Sequence, residues 1–287
     1  VITATGTPIR KRIPTATRAK VLALAEQFRN EVSDPRKTRS KTYLKPAQQL
    51  YQWLIAPIAA DLQARQINNL VFLLEAGLRS LPIAALHSGQ GFLIEQYSVG
   101  VMPSFSLTDT RYRDIRDVKV LGMGISESTQ SQPPLPAVPV EVSTLVQDIW
   151  SGREALNSDV TLNNLKAFRR EQPFGIIHLA THADFQSGAI GNSYIQLWDD
   201  KLRLDQVRQL GWNDPQIELL VLSACATALG DREAELGFGG LAVQTGVKSA
   251  VASLWYVSDA ATTALMTDFY QNLRTSRIKA EALRQAQ

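Results

Sequence analysis

The chain has 287 residues, 45% of them hydrophobic, which is enough to bury a large core as one α/β unit or as a domain with a smaller lobe. Its 30 basic and 27 acidic residues leave a net charge of +3, too small an imbalance to indicate nucleic-acid binding. The single cysteine, Cys225, excludes an internal disulfide and any multi-cysteine zinc site, and favours a reducing compartment, the cytoplasm. No stretch reaches the ~18 apolar residues needed to span a bilayer and no signal peptide opens the chain, so we expect a soluble protein without membrane contact.

The first predicted elements are two helices, over residues 16–33 and 46–65, because their apolar residues recur at spacings of three and four. Pro57 is expected to interrupt the second helix. Three β-rich segments follow, at 70–77, 91–104 and 118–125. The stretch "SESTQSQPPLPAVP", residues 126–139, is rich in Ser, Gln and Pro and predicts a surface linker.

After this linker, strands that are apolar on both faces alternate with helices. Strands are predicted at 174–183, 217–225 and 249–257, and helices at 140–150, 159–170, 204–210, 237–246 and 258–273, while the segment 194–200 carries no assignment. This alternation indicates an α/β fold with a mostly parallel sheet covered on both sides. In such sheets, ligands bind beyond the carboxyl ends of the strands.

Three of these strand ends carry polar residues that are expected to meet at one edge of the sheet: His182, Cys225 and Asp259. A thiol nucleophile needs a nearby base, and an imidazole, whose ordinary pKa lies near 6.5, serves at neutral pH. The sequence therefore pairs His182 with Cys225. Asp259 has an alternative role as the N-cap of the following helix, although Ser258 could cap that helix instead.

Two other patterns have weaker functional interpretations. His178 and His182 have the HxxxH spacing of zinc ligands, but Leu179 stands where a zinc peptidase has Glu, and the context is a strand. We therefore expect no metal, and interpret His178 as a core histidine that forms hydrogen bonds near the site. The glycines of 237–246 fit no phosphate-binding fingerprint, so we expect no cofactor and interpret them as a helix that packs closely behind Cys225.

The ordered motifs "HLATHADF", "LLVLSACATALG" and "SAVASLWYVSDAAT", with the glycine-rich helix start between the last two, resemble the CHAT domain, a caspase-like family of cysteine peptidases related to separase. The resemblance covers roughly residues 45–287 and implies a caspase-like α/β/α sandwich. Three regions follow from it. Residues 1–44 form a basic linker and helical lead-in, 45–138 an N-terminal pseudo-caspase-like part, and 139–287 the catalytic part, which we expect to continue beyond the last residue.

The resemblance also implies roles for individual residues. His182 and Cys225 fall on the catalytic dyad, and the backbone N–H groups of Ala183 and Cys225 on the oxyanion hole, with Ala183 standing where many relatives have Gly. In the segment "WYVSD", Asp259 falls on the residue that selects Arg or Lys before the cut, and Trp255 forms an apolar wall. The expected partners are a protein or peptide substrate with a basic residue before the cut and an activator or attached helical-repeat region.

The sequence predicts a cysteine endopeptidase that acts in a regulatory or defence pathway. The alternative is a catalytically silent caspase-like module that binds proteins, and a third interpretation is a structural α/β domain with an inert buried cysteine. Reactivity of Cys225 separates the three, because a thiolate held by an imidazole reacts at lower pH than an ordinary thiol, and a buried cysteine does not react.

Overall fold

The protein is described by a computed structural model. It covers residues 1–75, 77–105, 109, 111–185, 193–207, 210–223, 226–227, 246–255 and 257–287. The chain divides into two compact units, Val1–Val101 and Met102–Gln287. None of the helices in these ranges is both long and apolar enough to cross a membrane.

The first unit packs helices around a small parallel sheet. Its elements are α1 (Arg18–Ser33), α2 (Leu44–Leu54), α3 (Ala56–Ala64), β1 (Asn69–Phe72), α4 (Leu93–Gln96) and β2 (Ser98–Val101). The break between α2 and α3 falls at Ile55, two residues before Pro57. Pro57 lies in the first turn of α3, where its missing N–H costs no helical hydrogen bond, so the predicted interruption near Pro57 is confirmed. The β-rich assignment of 91–104 is wrong in its first half, because residues 93–96 form a helical turn before β2 begins.

The second unit is built on a sheet of five parallel strands, β3 (Val120–Gly124), β4 (Gly152–Leu156), β5 (Ile176–Ala180), β9 (Leu219–Leu222) and β11 (Ala250–Ala252). Their order across the sheet is β11-β9-β5-β3-β4. A second sheet has four strands, β6 (Ala183–Phe185), β7 (Tyr194–Gln196), β8 (Lys201–Arg203) and β10 (Ala226–Thr227). Their order is β10-β6-β7-β8. Strand β4 was not predicted.

Helices cover both faces of the five-stranded sheet. They are α5 (Val138–Ser143), which continues as a π-helical turn over Thr144–Ile149, α6 (Leu162–Glu171), α7 (Leu204–Val207), α8 (Asp259–Thr275) and α9 (Lys279–Ala286). Alternate residues of β5 enter two different buried clusters: Ile177 joins the one that includes α6, and Ile176 joins the one that includes α5 and α8. Burial on both sides explains why every residue of β5 except His178 is apolar. The predicted α/β/α sandwich with a mostly parallel sheet is therefore confirmed.

Glycines allow α5 to approach strand β3 closely. A Cβ added to Gly124 would contact Val138 Cγ1 and lie 2.9 Å from Val142 Cγ2, both on α5. We expect Gly124→Ala to lower the free energy of unfolding by about 1–3 kcal/mol, because the extra methyl group overpacks this contact. Chemical denaturation measures the change. The matched control is Gly100→Ala on β2, where a Cβ would meet nothing within 4 Å. Equal stability of the two variants would contradict this packing.

Candidate active site

The predicted site residues follow three neighbouring strands. β5 pairs in parallel with β9, and β9 pairs in parallel with β11, so their carboxyl ends meet at one edge of the sheet. His182 follows β5 by two residues, while Trp255 and Asp259 follow β11. Trp255 is half-buried. The structure thus places the predicted histidine and aspartate at the same edge.

Cys225 itself lies outside the described residues, but the strands on either side of it do not. β9 ends before it and pairs with β5, while β10 begins directly after it and pairs with β6. β5 and β6 in turn flank His182. His182 thus lies in the connection from β5 to β6, and Cys225 belongs in sequence to the connection from β9 to β10. Both connections begin and end on strands that are parallel neighbours.

The imidazole of His182 is held by a backbone carbonyl of the linker, residues 126–137 before α5. Its Nε2 lies 2.8 Å from the carbonyl oxygen of Pro133, and the residue is 8% exposed. A carbonyl oxygen only accepts hydrogen bonds, so Nε2 carries the proton that it donates. In the neutral imidazole, Nδ1 is then the nitrogen that can take up a proton.

The same linker is held at a second point, by the side chain of Asp259. Asp259 accepts a hydrogen bond at Oδ2 from the Ala137 N–H, at 2.8 Å. Ser258, rather than Asp259, is the N-cap of α8, and its hydroxyl accepts from the Ala261 N–H at 3.5 Å. The Asp259 carboxylate is thus not used as the helix cap, but one of its oxygens is engaged by the linker. The linker was predicted as a surface segment, and most of it is exposed, yet Leu135 is buried.

The N–H of Ala183 points away from β7. In the antiparallel pair of β6 and β7, the Gln196 N–H donates to the His182 carbonyl at 2.8 Å, and Ala183 stands opposite Ile195. Hydrogen-bonded and non-hydrogen-bonded pairs alternate along such a ladder, so Ala183 belongs to a non-hydrogen-bonded pair. Its N–H is directed to the opposite side of β6, where β10 runs.

Gln196 stabilises the segment around His182, a role that was not predicted from the sequence. It is fully buried, and its Nε2 donates to the Thr129 carbonyl of the linker at 3.1 Å. Its own carbonyl accepts from the Thr181 hydroxyl at 3.1 Å. Gln196 thus ties β7 to the linker through its side chain and to the residue before His182 through its backbone carbonyl. A single polar residue at the end of a short strand gave no signal of this role in the sequence.

His178 belongs to a buried polar set that the sequence did not reveal. Its Nε2 lies 2.9 Å from Glu141 Oε1, and neither atom has another hydrogen-bond partner among the described residues. Its Nδ1 lies 3.1 Å from the Tyr270 hydroxyl. The second carboxylate oxygen of Glu141 accepts from the Thr263 hydroxyl at 3.2 Å.

The negative charge of Glu141 is stabilised by the side chains around it. Burial acts to raise the pKa of Glu141, but His178, with help from the hydroxyls of Ser223 and Thr263, outweighs burial and lowers this pKa below its ordinary value. Ser223 is buried, and its hydroxyl forms no hydrogen bond of good geometry with the described part of the chain. Burial and the Glu141 charge raise the pKa of Tyr270 well above its ordinary value, so the hydroxyl keeps its proton.

The two histidines of the HxxxH pattern have separate environments. His178 contacts Glu141 and Tyr270 on the α5 and α8 side of the sheet, whereas His182 contacts the linker beyond the strand end. Within the residues the structure describes, no group of three or more His, Cys, Asp or Glu side chains is arranged to hold a metal ion.

The α/β/α sandwich and the polar strand ends define a caspase-like module related to cysteine peptidases. The family model of the CHAT domain matches residues 44–287, and the chain belongs to the CHAT domain family. No curated protein matches the sequence significantly.

Proposed function

We propose that the protein is a cysteine endopeptidase in which Cys225 is the nucleophile and His182 the general base. The observation that supports this most is the pairing of strands around the two residues. β9 and β10, which flank Cys225, run beside β5 and β6, which flank His182. The Pro133 carbonyl adds to this, because it leaves Nδ1 of His182 as the proton acceptor.

The chemistry proceeds through an acyl-enzyme. His182 takes the thiol proton at Nδ1, and the Cys225 thiolate attacks the scissile carbonyl carbon. The tetrahedral oxyanion accepts hydrogen bonds from the N–H groups of Ala183 and Cys225, each worth about 3 kcal/mol in the transition state. The imidazolium then donates its proton to the leaving amine as the C–N bond breaks. Water, deprotonated by His182, hydrolyses the thioester and releases the thiol.

The proposed specificity is for a basic residue before the cut. Asp259 lies at the same strand edge as His182, and one of its carboxylate oxygens is used by Ala137. Its charge suits an Arg or Lys side chain, and Trp255 follows the same strand as an apolar wall. A protein or peptide with such a residue, cut in a regulatory or defence pathway, is the proposed substrate. An activator or attached helical-repeat region is the proposed partner, and the single cysteine favours the cytoplasm.

Alkylation of Cys225 tests the dyad. Because the chain has one cysteine, incorporated iodoacetamide reports this residue alone. We expect the alkylation rate to rise with a midpoint below pH 8.5, the ordinary thiol value, since a nearby imidazolium stabilises the thiolate. In His182→Ala the midpoint is expected to return to about 8.5.

The same measurement identifies the two alternatives. A midpoint near pH 8.5 in the unaltered protein would contradict the dyad and indicate a silent interaction module. Absence of alkylation at every pH in the folded protein, with full alkylation after denaturation, would indicate an inert buried cysteine.

A further inference from the structure

We propose that Glu141, His178 and Tyr270 form a buried positioning set that fixes the imidazole of His182 as the Nε2–H tautomer, an inference that rests on the proposed role of His182. The set does not touch the reacting atoms. It acts through α5 and the linker, which carries the Pro133 carbonyl.

The set joins three elements behind the site. Glu141 on α5 meets His178 on β5, and His178 meets Tyr270 on α8. The contacts are satisfied together when His178 donates from Nε2 to the ionised carboxylate and accepts the Tyr270 proton at Nδ1. The residues are 3%, 0% and 1% exposed in that order, so α5 cannot shift without leaving buried polar groups unpaired.

A short rigid path leads from Glu141 to His182. The Glu141 N–H donates to the Ala137 carbonyl at 3.0 Å, and the Ala137 N–H donates to Asp259. Leu135 is buried, and its N–H donates to the Ser126 carbonyl at 2.9 Å. The remaining linker residues up to Pro133 are prolines, whose rings restrict the backbone. Displacement of α5 is therefore transmitted to the Pro133 carbonyl.

A binding role for the set does not fit its surroundings. The space beside it is lined by these three residues, by Thr267 and by apolar side chains, and as the described residues bound it, it is too small to admit a water molecule. A buried, ionised carboxylate costs free energy unless it is paired, and here the pairing connects the helix that precedes the site to the strand that leads to His182. The geometry favours positioning.

The experiment measures the tautomer of His182 directly. The chain has three histidines, His87, His178 and His182, so two-bond ¹H–¹⁵N correlation spectra of the imidazoles are simple, and His182→Gln assigns the signals of interest. Spectra are recorded at alkaline pH, where imidazoles are neutral. The variants are Glu141→Leu, which removes the acceptor, Glu141→Gln, which keeps a carbonyl acceptor, and Met266→Ala, a core truncation that lines the same space.

In the unaltered protein we expect His182 to be entirely the Nε2–H tautomer. Glu141→Leu is expected to give a mixture of both tautomers and a fall in kcat with little change in KM, because substrate binding is not altered. Glu141→Gln is expected to restore the single tautomer, and Met266→Ala to retain it in spite of lower stability. A single tautomer in folded Glu141→Leu, or the same mixture in Met266→Ala, would overturn the inference.

A second variant, Tyr270→Phe, tests the inference if Glu141→Leu does not fold. Tyr270→Phe keeps the buried ring and removes the hydroxyl that contacts His178, so we expect a smaller population of the second tautomer; none at all would overturn the inference. The spectra do not depend on peptidase activity. If only the proposed function is wrong, the protein cleaves no peptide, yet the tautomer of His182 still changes in Glu141→Leu. If only this inference is wrong, the protein cleaves peptides and the tautomer of His182 is the same in Glu141→Leu as in the unaltered protein.

Discussion

His182→Ala is expected to lower kcat/KM for peptide hydrolysis by about 10²–10⁴-fold. Removing the imidazole removes both the base that takes the Cys225 proton and the acid that protonates the leaving amine. The Pro133 carbonyl, 2.8 Å from Nε2 in the structure, then has no partner to orient. Initial rates with a fluorogenic peptide give the ratio between the two proteins.

His87→Ala is the matched control for this substitution. It removes an imidazole of the first unit, where the Gly89 N–H donates to its Nδ1 at 2.9 Å, and it changes no residue of the second unit. We expect its kcat/KM to equal that of the unaltered protein. A His182→Ala protein that is folded and as active as the His87→Ala protein would show that His182 is not the base.

Asp259→Asn is expected to lower the preference for Arg over a neutral side chain of similar length by about 10–100-fold. A hydrogen bond to a charged group contributes about 1.5–3 kcal/mol, and each 1.4 kcal/mol is tenfold in kcat/KM. Asparagine keeps an oxygen that accepts from the Ala137 N–H, so the linker contact survives while the charge is lost. The ratio of kcat/KM for two peptides that differ only before the cut measures the preference.

Asp268→Asn changes the net charge equally on the same helix, at an exposed position, and should leave the ratio unchanged. An unchanged ratio in Asp259→Asn as well would remove Asp259 from the specificity pocket. An equal fall for both peptides would instead indicate that Asp259 acts through the linker alone.

The parallel sheet made much of the site predictable from the sequence. Apolar strands that alternate with helices imply that strand ends share an edge, and β5, β9 and β11 are neighbours in the sheet. His182 and Asp259 accordingly lie at that edge, and the placement of Cys225 stays a prediction because it lies outside the described residues. Residues 237–245 of the helix predicted at 237–246 also lie outside them.

Other features were not predictable because they depend on tertiary contacts. The Pro133 carbonyl is a backbone atom 49 residues from His182, and no side-chain pattern indicates it. The Glu141 side chain is an ordinary polar residue in a helical pattern until the fold buries it against His178. Local structure was missed where segments are short. Residues 93–96 make a single helical turn, and β4 is an edge strand with charged residues, so neither shows a clear periodicity.

Hydrolysis of a fluorogenic peptide library, varied at the residue before the cut, by this chain and by its Cys225→Ala variant tests the central claim most directly. We predict cleavage after Arg and Lys that is lost in Cys225→Ala, because the thiolate forms the acyl-enzyme. Cleavage that persists unchanged in folded Cys225→Ala would contradict the claim that this protein is a cysteine peptidase.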